Sequence, residues 1–189
     1  MTEQRPLSAR AEELLEAAYG YALTHGLADL SLRPLAADIG TSPRVLLYLF
    51  GSKDGLVRAL LARARTDELA ILERLRRDSS AADLPAAVIT VWQWLADPAH
   101  RDLLTLWLEG YGRSLTHPDG PWKHFAELTV TEWLATLAQF QPQTQRKSQA
   151  GTDRRTAALA ILRGAMLDLL ATGDLDRISS AVGKLAQTL

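Results

Sequence analysis

The chain has no cysteine among its 189 residues. That absence excludes disulfides, thiolate metal sites and cysteine nucleophiles together. Histidine is scarce, with His25, His100, His117 and His124 as the four copies. They form neither a His-Glu-x-x-His pattern nor a His-x-His pair, so no zinc site is expected. No glycine-rich phosphate loop is present, and no cofactor is expected. No apolar run reaches the roughly 18 residues that a membrane span needs. The opening MTEQRPLSAR lacks an apolar signal core. A cytoplasmic protein without membrane contact is the expectation. Strand signals are weak too, because β-branched residues are sparse and no long stretch alternates with period two.

Alanine and leucine, both strong helix formers, dominate the composition. Apolar residues make up 47% and charged residues 23%, an ordinary globular balance. The length is enough to bury a substantial core. These features predict an all-α fold. Ser8 and Gly26 bracket a first helix, with Leu14, Leu15, Ala18, Tyr21 and Ala22 on one face. Ser31 caps a short second helix that Gly40 ends. Ser42 caps a third, with Pro43 in its first turn, and Gly51 breaks it. Ser52 opens a fourth helix of about 25 residues, ~37 Å long, with an apolar stripe of Leu56, Leu60, Ile71, Leu72 and Leu75.

A polar break covers 78–83, and Pro85, Pro98, Pro118 and Pro121 punctuate the second half of the chain. The later helices read as roughly 84–96, 99–115, 121–138, 153–172 and 175–188. Gln139 to Thr152 has five glutamines, a proline and a glycine, and reads as a mobile surface loop. Two domains result: a three-helix head over residues 1–51 and an all-α body over residues 52–189.

Net charge is −1, which gives no bulk case for nucleic acid. Charge is nevertheless uneven. Between Ser31 and Arg65 stand Arg33, Arg44, Lys53, Arg58, Arg63 and Arg65, opposed only by Asp38 and Asp54. A basic segment on a neutral protein is a localised electrostatic footprint, although a solvated helix face gives the same count.

Spacing adds a sharper signal. Ala36, Gly40 and Leu46 stand at offsets 0, +4 and +10. Ala36 is small where the next helix crosses, Gly40 allows a sharp turn, and Leu46 plugs the angle between two helices. That is helix-turn-helix spacing, with helix three free to enter a major groove. A plain helical hairpin without nucleic acid has the same triplet. More of the head agrees: Arg10-x3-Leu14-Leu15-x-Ala17-Ala18, His25-Gly26, Ser31-Leu32-x2-Leu35-Ala36-x2-Ile39-Gly40-Thr41-Ser42, and Leu46-x3-Phe50-x-Ser52-Lys53-x2-Leu56. Over about residues 8–58 the chain resembles the TetR family of tetracycline-repressor-like regulators.

The resemblance implies an all-α homodimer with a head that binds double-stranded DNA at a palindromic operator. It also implies a divergent ligand-binding body and repression released by a small molecule. Arg33 matches a family position that reaches bases. The chain departs from the family at Leu47, where tyrosine is usual, and at Leu49, where histidine or tyrosine precedes the phenylalanine. Leu47 cannot donate a hydrogen bond, which leaves the family's phosphate contact there open, with Tyr48 as a candidate replacement.

Arg44, in the first turn of helix three, suits bidentate readout of guanine or a phosphate contact. Pro43 and Val45 suit thymine methyl groups, or are simply a helix start and a surface residue. Ser31, Ser42 and Lys53 suit phosphates; the serines also have capping as an explanation, whereas Lys53 has none.

All five tryptophans fall in the body. Trp92, Trp107, Tyr111, Trp122, Phe125, Trp133 and Met166 are the expected lining of an apolar ligand cavity, with Glu109, Arg113 and His124 as its polar groups. A plain core explains the same rings. Thr156–Ala171 is apolar almost all round, so the eighth helix needs cover from its own body and from a partner. Leu159, Leu162, Met166 and Leu170, with Ile178, Val182 and Leu185 of the last helix, are the expected dimer face. Two other readings remain. One is a helical protein-interaction module without DNA. The other is an enzyme that pairs His124 with Glu127 or Glu109 in the cavity, for which no catalytic constellation is evident.

Overall fold

The computed structural model describes residues 8–27, 29–77, 83–117 and 119–189. Among them are ten α-helices, one 3-10 turn over Pro98–His100 and no strand. The helices are α1 (Ala9–His25), α2 (Leu32–Asp38), α3 (Pro43–Phe50), α4 (Lys53–Arg77) and α5 (Leu84–Leu95). They continue with α6 (Arg101–Thr116), α7 (Phe125–Gln139), α8 (Gln143–Arg146), α9 (Gln149–Thr172) and α10 (Leu175–Ala186). No described helix is long and apolar enough to cross a membrane. Residues 78–82 of the expected polar break, Pro118 and the first seven residues lie outside the described residues. So do the side chains of Leu72 and Leu75.

The chain divides into two compact units, and the division does not follow the boundary expected at 51/52. One unit takes the residues up to Asp67 together with Thr105–Ala126; the other takes Glu68–Leu104 and Glu127–Leu189. The reason is burial on the first half of α4, where Leu56, Val57, Leu60, Leu61 and Ala64 are core residues. Polar bonds join the same stretch to α1. The Tyr19 hydroxyl donates to Asp67 Oδ2 at 2.8 Å, and Arg63 Nε donates to Glu16 Oε1 at 2.6 Å. Arg63 also donates to Asp67 and lies 4.8 Å from the centre of the Tyr19 ring. Burial, followed by the Asp67 carboxylate, pushes the Tyr19 phenol well above its ordinary range. The Glu16 carboxylate holds the Arg63 guanidinium charged. Arg63 is therefore a structural cation and leaves the basic footprint counted from sequence.

On α1, Ser8 Oγ accepts from Ala11 N and Gly26 ends the helix, as expected. Its buried face holds Leu14, Leu15, Ala18 and Ala22 with Tyr19, while Tyr21 is half-buried and stacks on His25 with ring centres 4.0 Å apart. The sequence pattern chose the wrong tyrosine of the two for the core.

In the second unit α5, α9 and α10 pack on one another. Val88, Val91, Trp92, Leu162, Met166, Ile178 and Val182 are buried there. Two expected boundaries move. The helix expected from 121 starts at Phe125, because His124 takes a left-handed φ of 62° that no helix continues through. The stretch 139–152 is not a loop. It folds into α8 and the first turn of α9, which Ser148 caps by accepting from Gly151 N at 3.0 Å. Gln141 is buried, and its Nε2 donates to Gly151 O at 2.8 Å. Arg146 donates to the carbonyls of Gln141 and Gln139. Satisfied amides, rather than apolar contacts, order this glutamine-rich stretch.

Candidate nucleic-acid interface

The three steric roles read from spacing are met in the head. Ala36 and Leu46 are buried, Leu46 at 0% exposure, and it is the one buried residue of α3. Gly40 takes φ 66°, a conformation that costs glycine little and other residues more. The chain then turns with Thr41 N donating to Ala36 O at 2.8 Å. Ser42 Oγ accepts from Val45 N at 3.3 Å and starts α3. With Leu46 pointing inward, the opposite side of this eight-residue helix is left to solvent.

That outer side carries Arg44, Val45, Leu47 and Tyr48, all exposed. Tyr48 is 86% exposed, Leu47 41% and Val45 38%. A helical turn of about 3.6 residues spreads the four across an arc of roughly 160°. Their order across it is Leu47, Arg44, Tyr48, Val45. No acidic side chain interrupts α3.

Beside this face lies an open hollow of about 670 Å³, lined by Asp29, Leu30, Ser31, Leu32, Arg33, Pro43 and Lys53. Four of the residues singled out from sequence, Ser31, Arg33, Pro43 and Lys53, meet there although they come from three helix starts. Ser31 occupies the cap position of α2, but its side chain makes no capping bond, against expectation. Its hydroxyl is thereby uncommitted to the helix. Lys53 is exposed in the first turn of α4, where Ser52 Oγ accepts from Gly55 N at 2.9 Å. Two cations, one hydroxyl and the amino end of α4 suit a phosphate oxygen. Asp29 is the opposing charge in the hollow. Leu30 and Asp29 were not singled out from sequence, since a hollow between helix starts has no local signature.

The residues expected to line a ligand cavity fall in both units. In the first, Trp107 stacks on Tyr111 with ring centres 4.9 Å apart. Phe125 and Trp122 are buried, and Phe125 packs on the glycine face of α6 at Gly110. In the second, Trp133 Nε1 donates to the buried Glu68 carboxylate. Trp92 Nε1 donates to Ser179 Oγ at 3.0 Å, and the ring lines an open groove of about 490 Å³ with Ile89, Gln93 and Leu175. Met166 is buried on α9. Of the polar groups proposed beside these rings, His124 is exposed and Glu109 has a different partner.

The Glu109 carboxylate accepts from the backbone N–H of Leu27 at 2.6 Å. It thereby finishes the corner after α1, where Gly26 sits with φ 77°. A Cβ on Gly26 would stand 2.6 Å from Glu109 Oε1, so the close approach and the backbone conformation both call for glycine. Glu109→Gln keeps an acceptor and removes the charge. It is expected to cost about 1 kcal/mol of stability, measured by denaturant unfolding; an unchanged midpoint would mean the bond is dispensable.

Of the residues expected at a dimer face, Leu159, Leu162, Met166, Ile178 and Val182 are buried within their own unit, through the packing of α5, α9 and α10. Leu170 is half-buried and Leu185 is 47% exposed. The solvent side of α9 instead presents Ala157, Ala160, Gly164, Leu167 and Ala171 at alternating spacings of three and four.

Residues 14–60 match the family described as bacterial regulatory proteins, tetR family. Comparison with curated proteins finds no significant match. Solved structures are similar over nearly the whole chain. A TetR-family transcriptional regulator from Cytophaga hutchinsonii is similar at a TM-score of 0.77 and 16% identity, covering 98% of each chain. A transcriptional regulator from Saccharomonospora viridis, solved in complex with choline, is similar at 0.74 and 19%, covering 94% of this chain and 95% of its own. The multidrug binding protein EbrR, complexed with proflavin, is similar at 0.63 and 23%, covering 93% and 99%. At these identities the likeness is one of fold.

Proposed function

We propose that this chain, a TetR-family transcriptional regulator by the match of its head and by its fold, is a homodimeric repressor released from a palindromic operator by a small apolar or aromatic ligand. One observation carries the DNA-binding part: α3 is anchored by a single buried leucine while Arg44, Val45 and Tyr48 are exposed beside the hollow of Ser31, Arg33, Pro43 and Lys53. A helix held that way can enter a major groove while the hollow engages the flanking phosphates.

Dimerisation is the second part of the reading. Two-fold repetition would set two copies of α3 one helical turn of DNA apart, roughly 34–36 Å. The solvent side of α9, with Leu185 of α10, is the surface that supports it. Ligand release is the third part. It rests on the rings gathered in the two units and on the fold shared with proteins that hold choline and proflavin. A ligand that binds the DNA-incompetent arrangement better shifts the population away from the operator.

Selection of bound fragments from a random DNA pool tests the central claim. The expected product is a palindrome whose complex is intact in low salt and dissociates steeply as salt rises. Complex mass should correspond to two chains per palindrome. Recovery of no preferred sequence, together with a monomer in solution, would favour a helical interaction module instead. Lys53→Ala should weaken binding equally across sequences and flatten the logarithmic salt slope by about 1; an altered base preference would remove Lys53 from the phosphate role.

A further inference from the structure

Leu47 lies on the outer side of α3 and is not withdrawn into the core. Its side chain is 41% exposed on the outer side of α3, next to Arg44. Val45 occupies the opposite edge of the same arc at 38% exposure. The hydrogen-bonding vocabulary of this face is thus small: one guanidinium and one phenol, framed by two branched aliphatic side chains. Pro43 at the start of the helix adds no donor. Arg33 and Lys53 line the adjoining hollow, with Asp29 as the opposing charge there. A guanidinium and a phenol flanked by two aliphatic side chains, beside two further cations, suit a polyanion that itself carries apolar groups at a fixed depth.

Duplex DNA has one such group in its major groove, the thymine C5-methyl. We infer that Leu47 reads a thymine methyl, so that each operator half-site pairs a thymine with the base read by Arg44. The inference rests on the DNA-binding reading above and names what that surface selects. Burying a methyl group against Leu47 contributes affinity without any hydrogen bond. The same aliphatic side chain facing a cytosine or a guanine edge desolvates polar atoms without replacing their partners.

Deoxyuridine isolates the effect, because it differs from thymidine only by that methyl. The experiment takes the sequence selected from the random pool and replaces each half-site thymidine by deoxyuridine, one position at a time. Affinity is measured for the full chain and for Leu47→Ala. Because Leu47 is exposed and alanine favours helix, the variant should keep its fold, which circular dichroism and unchanged affinity for a scrambled duplex would verify. One position is expected to lose about three- to tenfold affinity on removal of the methyl. In Leu47→Ala that same position should bind thymidine and deoxyuridine equally.

The inference is overturned if no deoxyuridine probe binds more weakly. It is also overturned if Leu47→Ala retains every deoxyuridine penalty of the parent. Both results presuppose a selected sequence. A pool that yields none defeats the DNA-binding reading itself, and so the two failures are told apart.

Discussion

Leu46→Ala is expected to destabilise the head by about 2–5 kcal/mol and to abolish specific DNA binding. Leu46 has no exposed surface and is the only core residue that α3 contributes. Truncation leaves a cavity at the angle between α2 and α3 that neither short helix can close by itself. Eight residues are far too few for an isolated helix to persist in water. Without its plug, the outer face carrying Arg44 and Tyr48 has no fixed direction. Hydrogen exchange of the α3 amides reports the local loss, and a mobility shift reports the functional one. A variant that keeps its amide protection and still selects the same sequence would contradict the anchoring role.

The second large effect belongs to Arg44. Arg44→Ala is expected to lower operator affinity by about 1–3 kcal/mol, roughly 5- to 150-fold, and to relax selection at one base pair of each half-site. Arg44 is exposed in the first turn of a helix whose amino end is directed at the groove in this motif. Arg44→Lys makes the sharper comparison. Lysine retains the charge but cannot reproduce the two parallel N–H donors, so specificity should fall more than non-specific affinity does. If both variants weaken all sequences alike, Arg44 is a phosphate ligand and base selection lies elsewhere on α3.

The sequence was most informative where a role depends on near neighbours. Ala36, Gly40 and Leu46 act through contacts within one turn-linked pair of helices, so their spacing alone carries the geometry. The same holds for Ser8 and Ser42, whose hydroxyls cap amides three residues on. Ser31 has the same local context, yet makes no such bond. Its hydroxyl borders the hollow completed by Lys53, more than twenty positions along the chain, and that arrangement has no local trace.

Long-range partners explain the other departures. Gln139 to Thr152 looks like a loop by composition, but buried Gln141 finds Gly151 and Arg155 as partners, and polar satisfaction orders the segment. Arg63 counts as surface charge until Glu16 and Asp67 are folded against it. Tyr19 and Tyr21 differ little by periodicity; Asp67 distinguishes them by accepting the Tyr19 hydroxyl. The apolar girth of α9 was readable as a need for cover on several sides. Which residues face inward was decided by packing against α5 and α10, so the leucines chosen for a partner surface are largely core. The aromatic residues behave similarly, since Trp133 and Trp92 are committed through their indole N–H groups to Glu68 and Ser179.

The bond from Glu109 to Leu27 spans 82 positions of the chain. A head confined to residues 1–51 would be a cassette that could be cut out and joined to another body. Here the cassette is discontinuous: the corner after α1 is finished by a carboxylate from α6, and the compact unit includes Thr105–Ala126. A chimera made by cutting after residue 51 would transplant α3 while leaving behind part of its own scaffold. A transferable version has to carry both stretches, or supply an acceptor for the Leu27 amide from the new host.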